Sequence, residues 1–499
     1  MKRRTVLAGS LAALAATSIP YRRLLAVNPA PDAGAEIAAA GLDGRTLSLK
    51  STDIAELRAA LRGDLLTAGQ PGYDAARRLW NPAFDRHPAL IARCLGAGDV
   101  RHAVSFAAAH GLLTAVRAGG HSFAGQSGCD GGLVIDLSAM RAVEVDPMKK
   151  QARVEAGALL GNFDREAQAF GLATTAGVVA DTGVAGLTLG GGMGRLGRRF
   201  GLSCDNLSAV ELVTADGRWL RASAYENADL FWGLRGGGGN FGVATLLIYR
   251  LHELGQVYGG ALVYRYAADA RQLLRRLADA IASAPDELYV GIDCDTGEHG
   301  ERLVELDVCY SGPLQQAERV IAPLRRIGKP VKDELAAQSY VKLQGSADTP
   351  GVSPDAIYLK GGLVEGLKPA LIDAVVDYID NNPSDSYDIG FQPVGGAIGR
   401  VAPHATAYFG RAASHDMYIM GIWKVPGKGA ERNIAWVREG WKHLEPLTRG
   451  HYVNTAGETH ERENRARVAY GDNYARLAAL KKRYDPTNLF RLNFNISPA

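Results

Sequence analysis

Two glycine-dense runs, each beside a nucleophilic side chain, constrain this chain more than any other feature. The first is Arg117-Ala118-Gly119-Gly120-His121-Ser122-Phe123-Ala124-Gly125-Gln126-Ser127. The second, Gly190-Gly191-Gly192-Met193-Gly194-Arg195-Leu196-Gly197, leads into Phe200-Gly201-Leu202-Ser203-Cys204-Asp205-Asn206. Successive backbone N–H groups without side chains can converge on a pyrophosphate that larger residues would hold off, so both runs read as phosphate cradles. A histidine nitrogen and a cysteine thiolate are the neutral-pH nucleophiles suited to an electrophilic flavin ring. Taken singly, His121 reads as a polar loop residue and Cys204 as an inert buried thiol. Taken together they predict a cofactor clamped at two points.

These runs, with Leu230-Phe231-Trp232-Gly233-Leu234-Arg235-Gly236-Gly237-Gly238-Gly239-Asn240-Phe241-Gly242, Tyr470 to Leu477 and Tyr484 to Phe490, resemble a known family. It is that of the FAD-linked oxidases of the vanillyl-alcohol oxidase and p-cresol methylhydroxylase type, in the berberine-bridge-enzyme branch. The resemblance runs from about Leu79 to the C-terminus and is weakest in the middle. It implies FAD attached covalently through His121 (the 8α-histidyl position) and Cys204 (the 6-S-cysteinyl position). The expected cofactor contacts are Arg117, Gly119, Gly120, Ser122, Gly125, Ser127, Thr182, Gly183, Gly186, Gly190, Gly191, Gly194 and Asn454. Thr182, before Gly183-Val184-Ala185-Gly186, falls where the family gates oxygen access. The implied reaction is oxidation of an alcohol or hemiacetal on a sugar, glycoside or aromatic natural product, with O2 as acceptor and H2O2 as product. Two alternatives share the scaffold: an oxidative cyclase of secondary metabolism, and a flavoprotein that binds without turning over.

The catalytic base is harder to place. The branch carries Tyr-x-Asn-Tyr, but here Tyr452-Val453-Asn454-Thr455 lacks the final tyrosine, and Gly395-Gly396-Ala397-Ile398-Gly399-Arg400 lacks the acidic alternative. Candidates are Tyr452, Glu458, Tyr310, Tyr408 and His404; Tyr452 is favoured because it adjoins the segment returning to the flavin. A phenol needs a lowered pKa or a concerted transfer to act as a base near neutrality. Gly192 to Gly197 and Gly237 to Gly242 also match Gly-x-Gly-x-x-Gly, the nicotinamide-cofactor fingerprint. That fingerprint needs an acidic residue at a strand end about 20 positions on, and Asp216 instead falls in the turn Thr214-Ala215-Asp216-Gly217, so this alternative is set aside.

Fold class follows from pattern. Asp99 to His110 reads as a helix capped by Asp99 and followed by the strand Leu113 to Arg117. Leu133 to Leu137, Lys150 to Glu155, Ala209 to Thr214 and Val243 to Leu251 are strand-like. Leu288 to Cys294, Leu303 to Tyr310 and Ala405 to Ile419 alternate as antiparallel strands, and Asp269 to Ala284 and Lys368 to Asn381 have helical spacing. The expectation is an α+β protein: a two-part FAD-binding domain of the p-cresol methylhydroxylase type, over 46–255 and 448–499, with an antiparallel-sheet substrate domain inserted at 256–447 and helices over one sheet face.

The 499 residues carry 56 basic and 53 acidic side chains, a net +3, with no basic block interleaved with aromatics. Nucleic acid is therefore a poor partner, and small-molecule substrate and O2 remain. Lys2-Arg3-Arg4-Thr5-Val6-Leu7 and the apolar Leu11 to Ile19 read as a twin-arginine export signal too short for stable membrane insertion, which predicts a periplasmic or secreted protein; residues 1–45 are kept out of the fold reasoning. Cys294 and Cys309 sit on two arms of a hairpin turning near Gly297 to Gly300, not opposite each other, so no bridge is expected.

Overall fold

The computed structural model describes residues 36–499 apart from 298, 348–350, 385, 426, 428 and 458–461. The twin-arginine segment and Glu458 lie outside the described residues.

Two sheets build the first core. In one, Leu90–Arg93, Leu133–Asp136 and Thr114–Arg117 run parallel and Leu65–Leu66 pairs antiparallel at the edge. In the other, antiparallel sheet the order is Trp219–Ser223, Leu207–Val213, Val243–Arg250, Gln151–Glu155, Val143–Asp146. The helix Ala97–His110 touches both sheets, and its buried Val100, Ala103, Val104 and Ala107 recur at three- and four-residue spacing. The expected N-cap role of Asp99 is not what forms. Gly96 occupies the cap, and Asp99 lies inside the first turn. Its buried carboxylate accepts the backbone N–H groups of Leu95, Arg62 and Gly63 at 2.8, 3.0 and 3.2 Å. One anion at the positive end of the helix thus ties down a neighbouring loop.

The second core belongs to one antiparallel sheet, ordered Lys332–Asp333, Val257–Arg265, Arg302–Tyr310, Leu288–Thr296, Tyr387–Pro393, His415–Lys424, Asp355–Val364. Ala270–Ala282, Ala317–Arg325, Pro369–Asn381 and Ala430–Leu444 are helices sharing its apolar core. Period-two alternation sorts the strands by face: Leu288, Val290 and Cys294 enter the helix-covered core, whereas Tyr289, Gly291 and Asp293 line a cavity on the other face. Cys294 pairs with Val304 and Cys309 with Tyr289 in register, and all five cysteines are free.

The expected strand Ala405 to Ile419 is corrected. The strand is His415–Lys424, and the preceding ten residues are turn and loop. Arg411 explains the difference, because its guanidinium makes a two-pronged ion pair with Asp205, 2.6 Å on each side, and both side chains are buried. That pair pulls the segment onto the first core and away from sheet pairing.

The C-terminal stretch joins the first core through Tyr470, Leu477, Phe490 and Ile496. Its tether is Lys481, 0% exposed, whose ammonium donates to Asp485 at 2.7 Å and to the Asn240 and Phe490 carbonyls at 2.9 Å each. All three protons are satisfied, which is the condition for burying a charge. Lys481→Met leaves Asp485 buried without its cation and is expected to cost about 3–5 kcal/mol. A thermal-denaturation midpoint within a degree of the parent would contradict this.

Candidate active site

A cavity of about 660 Å³ lies between the first core and the open face of the large sheet. Its floor depends on a contact that only glycines can make: a Cβ on Gly119 would lie 2.5 Å from both Cα and N of Gly183. The loops carrying His121 and Thr182 are thereby locked together. The His121 ring stacks on Trp80 with centroids 3.9 Å apart. Its Nε2 is buried without a hydrogen-bond partner, 3.7 Å from Asp181, whose own two oxygens are also unpartnered. Gly186 and Gly239 line the cavity and have nothing within 4 Å of an added Cβ, so any side chain there would occupy the space.

The roof is the sheet. Asp293, Gly390 and Tyr418 sit side by side in register on three neighbouring strands. The Tyr418 hydroxyl donates to Asp293 Oδ1 at 2.6 Å. Across the next strand pair, Asp307 faces Gly291 and is held by Arg195 at 3.0 Å. Burial, with the surrounding carboxylates, holds Asp293 and Asp388 well above the usual carboxylate range, and it pushes Asp295 up to about 7. Asp293, Asp307 and Asp355 line the cavity, whereas no lysine or arginine does among the described residues.

Residues 88–223 match the FAD binding domain family, and residues 451–497 match the berberine and berberine-like family. The chain is 32% identical over 451 residues to (R)-6-hydroxynicotine oxidase of Paenarthrobacter nicotinovorans, covering 88% of this chain and 97% of that protein. The solved 6-hydroxy-D-nicotine oxidase of Arthrobacter nicotinovorans superposes with a TM-score of 0.81 at 30% identity, over 88% of this chain and 98% of that one. Xylooligosaccharide oxidase of Thermothelomyces thermophilus is 28% identical over 84% of this chain and 89% of its own length. The chain is a berberine-bridge-like FAD-linked oxidoreductase.

This oxidoreductase binds FAD in the p-cresol methylhydroxylase type of fold, and the residues described fit that cofactor. Of the expected contacts, Gly119, Gly120, His121, Ser122, Ser127, Thr182, Gly183, Gly186 and Asn454 line the cavity. The rest are corrected. Arg117 does not line it and turns its guanidinium to the Ala76 carbonyl, while Gly125 packs on Phe84. Gly190, Gly191 and Gly194 abut Asn454, Tyr408 and the Gly177 carbonyl, so the second run serves close packing and not a phosphate.

Cys204 is the largest correction. It is fully buried outside the cavity lining, facing Asp205, and desolvation holds its thiol well above the ordinary range. None of the five cysteines lines the cavity. A thiol that stays protonated away from the cavity is no flavin nucleophile. Sequence reasoning also missed Trp80, the Gly177-Val178-Val179 segment, Gly238 with Gly239, and the roof residues Asp293 and Tyr418. The Gly238–Gly239 signal was present in the run Gly236 to Gly239, which carried the family resemblance and matched the nicotinamide fingerprint but was not read as a cofactor contact.

Tyr452 lines the cavity, but its hydroxyl oxygen accepts N–H groups from Asn454 (2.8 Å), Gly192 (3.0 Å) and Met193 (3.3 Å). Its lone pairs are engaged, and burial pushes its pKa above the ordinary tyrosine value. Tyr452 is thus a brace for the glycine run and not the base. Tyr310, Tyr408 and His404 do not line the cavity. Tyr452→Phe is expected to cost about 1–3 kcal/mol of stability by stranding buried donors, with flavin reduction slowed by no more than about tenfold. A slowing of roughly 10²-fold or more, the range for loss of a general base, would restore Tyr452 to that role.

Proposed function

We propose that this oxidoreductase is an oxidase that dehydrogenates a CH–OH carbon, of a sugar hemiacetal or an alcohol on an aromatic natural product, and passes the electrons to O2 as H2O2. The FAD is carried on one covalent bond, to His121. The observation that carries this reading is the state of that imidazole: on the cavity wall, braced by Trp80, with Asp181 beside Nε2. An imidazole whose Nε2 is turned to Asp181 presents Nδ1 as its nucleophilic nitrogen. The solved glucooligosaccharide oxidase from Acremonium strictum, 24% identical with a TM-score of 0.81 over 90% of this chain and 99% of that one, is described with both a 6-S-cysteinyl and an 8α-N1-histidyl FAD. Here the cavity-lining residues include the histidine alone.

When bound, FAD supplies a hydride acceptor. The chain supplies the rest: Gly186 and Gly239 leave room for the cofactor, and the apolar Ile357, Leu359 and Phe391 form part of the substrate side. With three aspartates and no lysine or arginine on the lining, the cavity favours uncharged substrates over anionic ones. Export through the twin-arginine segment belongs to the same proposal, and the mass of the mature protein recovered from a periplasmic fraction tests it.

Acid-precipitated protein is expected to stay yellow. His121→Ala should release its FAD into the supernatant, while Cys204→Ala should keep the flavin on the pellet. Release from Cys204→Ala would reinstate the thioether, and release from the parent would remove the covalent bond altogether. Peroxide formation on a panel of oligosaccharides and benzylic alcohols tests the reaction itself; flavin that none of them reduces argues for a binding protein.

A further inference from the structure

We propose that Asp293 is the catalytic base of this enzyme and that Tyr418, reaching it across Gly390, is the residue that positions and tunes it. The assignment rests on the CH–OH reading above.

The geometry begins with the strand register. Asp293 on Leu288–Thr296 faces Gly390 on Tyr387–Pro393, and Gly390 faces Tyr418 on His415–Lys424. Residues two strands apart are ordinarily separated by the side chain between them, since neighbouring strands lie about 4.8 Å apart. Here that side chain is missing. A Cβ on Gly390 would fall onto Cζ and Oη of Tyr418 and 2.5 Å from Asp293 Oδ1, so the phenol lies in the space the glycine leaves empty. Its O–H reaches the carboxylate at 2.6 Å. Both Asp293 and Tyr418 line the same cavity as His121. The arrangement holds a carboxylate on the wall opposite the cofactor side, where a substrate O–H has to lie if its carbon is to face the flavin.

The surroundings suit proton acceptance near neutrality. The charged and titratable groups facing Asp293 are Asp295 on its own strand, Glu305 and Asp307 on Arg302–Tyr310, Asp388 on Tyr387–Pro393, and Tyr289 and Tyr418. Two cations reach this set: Arg195, which is spent on Asp307, and Lys332, whose charge acts on Glu305. Burial and the neighbouring carboxylates raise Asp293 toward neutrality, and the Tyr418 hydrogen bond works in the opposite direction by favouring the carboxylate. Burial keeps the carboxylate basic and the Tyr418 hydrogen bond favours its charged form, the balance a proton acceptor needs.

Asp293 takes the substrate's O–H proton on a carboxylate oxygen as the C–O bond becomes a carbonyl, and the C–H electron pair would leave as hydride, for which bound FAD would be the two-electron acceptor. Two electrons and one proton have moved with the hydride, and the second proton rests on Asp293.

The test uses the holoenzyme and the peroxide-yielding alcohol or hemiacetal from the panel. Asp293→Asn should slow flavin reduction about 10²- to 10⁴-fold and abolish the acidic limb of the kcat/KM profile. Tyr418→Phe should slow it about tenfold and move that limb to higher pH, because the bond that favours the carboxylate is gone. Gly390→Ala should displace the phenol and reproduce the Tyr418→Phe profile, a result a merely structural tyrosine would not give. A second readout needs no turnover. A carboxyl whose folded pKa is raised contributes stability that is lost as pH rises through that pKa, so Asp293→Asn should raise the thermal midpoint more at pH 8.5 than at pH 5. Parent-like reduction rates in Asp293→Asn, or a stabilisation that does not change with pH, would overturn the assignment. An unreduced parent flavin across the whole panel would instead defeat the oxidase reading, with the thermal series still deciding whether Asp293 titrates as stated.

Discussion

The backbone contact between Gly119 and Gly183 is the constraint on which the site depends. At 2.5 Å from an added Cβ to the opposite chain, no other residue fits at Gly119 without parting the two loops. Parting them would separate His121 from Asp181, whose placement beside Nε2 depends on those same loops. It would also shift Thr182 and Gly186 on the cavity wall. A contact with no polar partner and little buried area thus sets the distance between the His121 imidazole and the Asp181 carboxylate.

Glycine acts in three distinct ways in this molecule. At Gly119 and Gly183 it permits contact between loops, at Gly186 and Gly239 it leaves volume for the cofactor, and at Gly390 it clears a path for another residue's hydroxyl. A fourth group, Gly190, Gly191 and Gly194, is spent on packing against Asn454, Tyr408 and Gly177. A sequence shows all of these as the same letter. The ion pairs that hold the cavity walls together are equally invisible to local pattern: Arg411 with Asp205 joins residues 206 apart in the chain, and Arg195 with Asp307 spans 112.

The parts legible in the sequence were those with local causes. The helix at Ala97–His110 follows from its apolar spacing, and the strands at Leu288–Thr296 and Arg302–Tyr310 follow from alternation. His121 was found because its hexapeptide is short, contiguous and chemically specific. The errors share one origin. Cys204 lies near a glycine run in sequence, but its segment is anchored by the ion pair of Asp205 with Arg411, 206 residues on, and the thiol is buried outside the cavity lining. Asp293 and Tyr418 escaped notice because they are 125 residues apart and meet only through strand register.

The amino-acid order alone determined the cofactor class, the α+β architecture and a histidine on the cavity wall, since each rests on interactions within a few residues or on a periodicity that burial enforces. Which thiol, phenol or carboxylate reaches the cavity was decided only when the sheet closed over the first core. The reason is geometric: strand register and loop contact bring together atoms that the chain holds far apart, and a one-residue slip in register would turn every roof side chain to the opposite face.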